Sequence, residues 1–117
     1  MALTTTAIEE PSKIVVPVRY AAWMAGDLGR ALERGMAKAL QGVPRVRVTR
    51  LPRALVVEAD EAPGPLLEAV HRAAVELERG VEAAYPVFHH ELGPVWTGTL
   101  QSVFPHAVAT APVAVAH

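Results

Sequence analysis

The chain contains no cysteine, which excludes a disulfide scaffold, a thiol nucleophile and a thiolate metal site while leaving the redox compartment open. Aromatic residues are scarce, two each of Trp, Tyr and Phe. Charge is missing altogether from residue 92 onward. That uncharged stretch is interrupted by Pro94, Pro105 and Pro112 and carries Thr, Gln, Ser and His, so no transmembrane helix fits it. Residues 1–12 hold Glu9 and Glu10, with no basic start and no long apolar core, so no secretory signal is expected.

What remains is a hydrophobic, compactable chain. Its 117 residues are 51% hydrophobic and 20% charged, and the mean hydropathy is +0.24, a composition that excludes intrinsic disorder. The length suits one domain, burying roughly two-thirds of the unfolded surface in a single core. The reading places that domain at residues 13–106, with an N-terminal arm at 1–12 and an apolar C-terminal arm at 107–117. The net charge of −1 hides a bipolar chain. Residues 13–53 carry nine bases against two acids, and residues 54–91 carry eight acids against two bases. If the two halves stay apart on folding, the basic face of one copy meets the acidic face of the next, which favours head-to-tail assembly.

Hydrophobic periodicity supplies the elements. Residues 13–19 are β-branched and short, a strand that Pro17 pushes toward an edge. Residues 20–41 place Met24, Leu28, Leu32, Met36 and Leu40 at every fourth position, which predicts a helix, with a possible break near Gly26. Arg45, Arg47 and Thr49 alternate with Val46 and Val48 in a half-buried strand, and a turn at Pro52 and Arg53 leads into the apolar run 54–57. That run suits a central strand covered on both faces. The spacing of Leu67, Val70, Ala74, Leu77, Val81 and Ala84 predicts a second helix over 66–84. Residues 87–91 and 95–103 read as extended segments around a turn at Gly93 and Pro94. The expected fold is therefore α+β: a two-layer sandwich with two helices on one face of a four- to five-stranded, mainly antiparallel sheet, in ferredoxin-like order.

No catalytic constellation emerges. A G-x-S-x-G elbow, a Walker loop and a dinucleotide fingerprint are all missing. His89, His90 and His106 are the weak candidates for a metal site, but on a strand His89 and Glu91 would point one way and His90 the other. Arg45, Arg47, Arg50 and Arg53 form the best candidate for phosphate contact, without the interleaved aromatics that stack single-stranded bases. An acidic protein surface is an equally good match for them, so nucleic acid is not the favoured partner.

Pro94, Val95, Thr97, Gly98 and Leu100 form the pattern P-V-x-T-G-x-L after an amphipathic helix. This segment resembles the one in small tailed-phage neck proteins of the head–tail joining and tail-completion type, although Ser102 falls one position earlier than in that pattern. The resemblance implies a structural protein forming a homo-oligomeric ring or connector with other structural proteins, found in the cytoplasm or the assembled virion, with no cofactor. The residues expected at its contacts are Arg45, Arg47, Arg50 and Arg53 on one copy, Glu76, Glu78 and Glu82 on the next, and Trp96, Thr97 and Gly98 of the motif. The alternative is a small ferredoxin-like enzyme or ligand-binding protein whose pocket uses His89, His90, His106 and Glu91.

Overall fold

Alternating β-branched residues build the first strand of the computed structural model, which describes residues 11–97. In β1 (Ser12–Pro17), Ile14 and Val16 are fully buried, and Val18 continues the row beyond the strand's end. Lys13, Val15 and Pro17 take the opposite face by the two-residue period. Val18 donates its N–H to the Arg53 carbonyl and Arg19 donates to the Val95 carbonyl, both at 2.7 Å. Position 17 therefore faces the outer edge, where a missing N–H costs no sheet hydrogen bond. Only the Pro17 carbonyl is used there, accepting from Thr97 N at 3.2 Å.

The helix expected over 20–41 is split. A short 3-10 turn (Ala21–Met24) precedes α1 (Gly26–Ala39), with Ala25 extended and Gly26 at φ +51°. Such a positive φ favours glycine. Gly29 explains why the break persists: a Cβ there would lie 2.0 Å from the Met24 carbonyl oxygen. α1 then buries Leu32 and Met36 against the sheet, with Leu40 buried at its C-terminal cap.

β2 (Arg47–Leu51) and β3 (Ala54–Ala59) form a hairpin closed by Pro52 and Arg53, pairing Leu51 with Ala54. β3 is central in a three-stranded sheet of order β1-β3-β2, antiparallel throughout. The apolar run at 54–57 is thus central, as expected, but the described residues cover it on one face only. Leu55, Val57 and Ala59 are buried beneath the helices, while Ala54, Val56 and Glu58 alternate to the other side and stay half-buried.

α2 (Pro63–Ala84) begins three residues before the predicted start, with Pro63 at a first-turn position where its missing N–H is harmless. Leu66, Val70, Ala73, Ala74 and Val81 are buried. Each large aliphatic among them contributes about 1.5–3 kcal/mol by leaving water.

Residues 87–91 correct the sequence reading: they are helical, within α3 (Pro86–Leu92). Pro86 disfavours the helical conformation at Tyr85, which sits at φ −131°, and itself opens a new helix at its N-terminal end. Tertiary contacts then fix the turn. Phe88 meets Trp23 edge-on, with ring centroids 4.7 Å apart, and His89 reaches Glu78. Gly93, at φ +85°, ends α3 and donates its N–H to the His89 carbonyl.

The chain returns beside β1, but only as an isolated bridge between Val18 and Trp96. The described residues therefore contain three α-helices and three strands rather than two helices and four to five strands. One core joins the inner sheet row to α1, α2, Trp23 and Trp96. None of the helices described is long and apolar enough to cross a membrane. Of the arm expected at 1–12, Ser12 instead opens β1, buried opposite Ala59 with its Oγ donating to the Glu61 carbonyl; residues 1–10, the arm at 107–117 and the continuation of the expected strand to residue 103 lie outside the described residues.

Candidate functional site

The sheet register disperses the four arginines. The Cα of Arg47 opposes that of Glu58 on the sheet face away from the helices. Arg50, three positions on, turns to the helical side, where its Nη1 donates to the Met24 carbonyl at 3.1 Å and its Nε lies 3.5 Å from Glu33 Oε1. Arg45 precedes the strand at φ +53°, with its Nε 3.4 Å from Asp60 Oδ2. Arg53 sits in the hairpin turn, its carbonyl engaged by Val18. Arg50 therefore closes the 3-10 turn onto β2, and the other three side chains are exposed at separate places.

The acids divide in the same way. Glu76 pairs with Arg79 at 3.2 Å on the surface of α2, and Glu82 is exposed. Glu78 is half-buried and occupied: His89 Nε2 lies 2.6 Å from its Oε2, and Val95 N donates to both carboxylate oxygens at 3.1 Å. One carboxylate thus fastens α3 and the returning segment to α2. His90, the next residue on the helix, is exposed, since successive helical positions are rotated by about 100° rather than alternating as on a strand. His106 and Gly98 lie outside the described residues. Among the described residues no three His, Asp or Glu side chains gather where they could hold a metal ion.

Trp96 of the P-V-x-T-G-x-L segment belongs to the core. It is 1% exposed, and its Nε1 donates to the Ala74 carbonyl at 2.9 Å. Thr97 is exposed beside it and contributes its backbone N–H to Pro17.

Two apolar surfaces remain uncovered by the described residues. On the helical layer, a groove of about 270 Å³ runs between α1 and α2, lined by Leu28, Ala31 and Leu32 on one side and Leu77, Val81 and Ala84 on the other. On the sheet layer, the register sets Lys13, Glu58 and Arg47 in one row, Val15, Val56 and Thr49 in the next, and Pro17, Ala54 and Leu51 in the third. No protein family, curated protein or solved structure matches this chain. Its chemistry has to be read from these surfaces.

The groove was not foreseen, though its ingredients are in the sequence. Gly35 lets α1 approach so closely that a Cβ there would sit 2.5 Å from a methyl of Leu77. Ala31, Gly80 and Ala84 then leave the space above that contact unfilled. Small residues at helical spacing on both helices were the available signal.

Proposed function

We propose that this chain is a structural protein that works by assembling with further copies of itself into a ring or connector, at a head–tail junction of the tailed-phage type. The observation that carries the assembly reading is that the described residues leave an apolar strip uncovered on both layers of the sandwich, the α1–α2 groove and the Val15, Val56, Leu51 side of the sheet. Uncovered apolar surface bordered by charge is the mark of an association face. The similarity of the P-V-x-T-G-x-L segment to phage neck proteins supports the placement at a junction. Contacts through charge fall to the exposed members of the predicted set, Arg45, Arg47, Arg53, Glu76 and Glu82, because Arg50 and Glu78 are taken up within the chain. The pocket alternative has no comparable support. His89 packs on Trp23 and binds Glu78, and the groove presents almost no polar groups.

Light scattering after size exclusion, at low and high salt, tests this reading. Particles of several times 12.5 kDa are the expected result, with the charge-guided part weakening as salt rises. A monomer at every concentration and salt would overturn it.

A further inference from the structure

We infer that the sheet face turned away from the helices is the seat of the chain's own C-terminal segment, residues 98–117, which departs from the apolar corner of that face. The inference goes beyond the assembly reading and does not rest on it, because it concerns a single copy.

Alternation along the strands decides what this face offers. The register sets Lys13, Glu58 and Arg47 in a row across one end, with Lys13 Nζ 3.9 Å from Glu58 Oε2. The other two rows are uncharged: Val15, Val56 and Thr49, then Pro17, Ala54 and Leu51. Leu51 is 43% exposed. The face is therefore charged beside the start of β1 and apolar beside its end.

The two parts of the chain outside the described residues meet the face at opposite ends. Residues 1–10 lead into the charged end and include Glu9 and Glu10. Residues 98–117 follow Thr97, at the apolar end. The bridge between Val18 and Trp96 is antiparallel, so Thr97 stands opposite Pro17, to whose carbonyl its N–H donates at 3.2 Å. Trp96 is 1% exposed in the core, and by the two-residue period Thr97 takes the other side, where it is exposed. Thr97 thus adds a member to the row of Pro17, Ala54 and Leu51, and the chain continues from there. Residues 98–117 hold no Asp, Glu, Lys or Arg, and Leu100, Val103 and Phe104 come soon after Thr97. An uncharged segment begins where the face is uncharged.

Size selects a tethered occupant. β1 has 6 residues; at about 3.3 Å per residue and about 4.8 Å between strands, the face covers on the order of 300 Å². A standard interface buries about 800 Å² on each partner. By itself the face is too small to hold a separate copy, which also loses translational and rotational freedom on docking. A segment joined to the face at Thr97 has lost most of that freedom already. Its reach is ample, because residues 98–117 extend to about 66 Å and the sheet is roughly 14 Å across. For the assembly reading there is one consequence. This strip is open to further copies only when the segment leaves it, whereas the groove on the helical layer is unaffected.

Paramagnetic relaxation in the full chain tests this. The chain has no cysteine of its own, so Ala107→Cys takes a nitroxide at a single site. With labelled, isotope-enriched chain diluted into unlabelled, unenriched chain, the amide signals of Thr49, Leu51 and Val56 are expected to be lost and to return when the nitroxide is reduced. Those of Ala31 and Ala84 on the helical layer are expected to persist. Leu51→Glu and Thr49→Glu, both at exposed positions, should each restore the sheet signals, with far-UV circular dichroism reporting an unchanged fold. Sheet signals that persist beside the label, losses that fall on Ala31 and Ala84 instead, or losses that neither variant relieves would overturn the inference. Losses seen only when labelled, unenriched chain is mixed with unlabelled, enriched chain would overturn it too, by seating the segment on a neighbouring copy, and would leave the assembly reading standing.

Discussion

Trp23, in the 3-10 turn before α1, and Trp96, beside β1, are both shielded from solvent, yet their indole nitrogens meet different fates. Trp96 donates to the Ala74 carbonyl of α2. Trp23 is held by aromatic contact with Phe88 and His89, and its Nε1 has no hydrogen-bond partner among the described residues. An unsatisfied buried donor costs roughly 1–3 kcal/mol. The comparison separates two ways of closing this small core. Around Trp96 the closure is directional and joins three parts of the chain, namely α2, β1 and the returning segment. Around Trp23 it is a matter of shape, and it tolerates a polar group left over.

The harshest way to break the comparison is Trp96→Ala. Removal of a fully packed tryptophan is expected to cost about 3–5 kcal/mol, read as a shift in the urea unfolding midpoint at unchanged slope. A loss below about 1 kcal/mol would show that the 95–97 segment is dispensable to the core.

Glu78→Ala comes next. It strips acceptors from both His89 and Val95 N, and the expected loss is about 1–3 kcal/mol. Its distinguishing mark is local: amide exchange at Val95 should accelerate far more than at Val57 in the central strand. Equal acceleration at both sites would mean that Glu78 stabilises the domain as a whole rather than fastening this segment.

The smallest effect sharpens the contrast directly. Trp96→Phe loses a made hydrogen bond as well as volume, whereas Trp23→Phe loses volume but also removes an orphaned donor. The first should be more destabilising than the second by about 1–3 kcal/mol. Equal losses in thermal unfolding would show that the Trp23 nitrogen is satisfied in solution.

The strands and the long helix were legible because their determinants are local. β-branched runs mark β1 and β3, alternation marks β2, and α2 follows from a regular apolar seam. Gly26 also marked the place where the first helix breaks. What could not be read depends on contacts between distant residues. Pro86, Val87 and Phe88 suit an extended segment by composition, and the helix there is fixed by Trp23 and Glu78, more than ten positions away on other elements. The arginines looked like one cluster because their spacing is close. The hairpin register sends Arg47 to one face and Arg50 to the other. Glu76 was picked out from its charge, but the groove beside it depends on how near α1 approaches α2 at Gly35, a distance that no periodicity encodes.

Pro17 has a further consequence, for solubility. Sheet edges seed fibres when they offer an unbroken ladder of donors and acceptors to a stranger's strand. On the outer side of β1 that ladder lacks a donor at Pro17, and the Pro17 carbonyl already accepts from the Thr97 N–H. At the opposite edge, β2 exposes Arg47 near one end, with Arg53 in the adjoining turn at the other, so an incoming strand would have to accommodate a positive charge at each end. In a chain that is 51% hydrophobic, these features discourage runaway stacking of sheets and leave association to the faces.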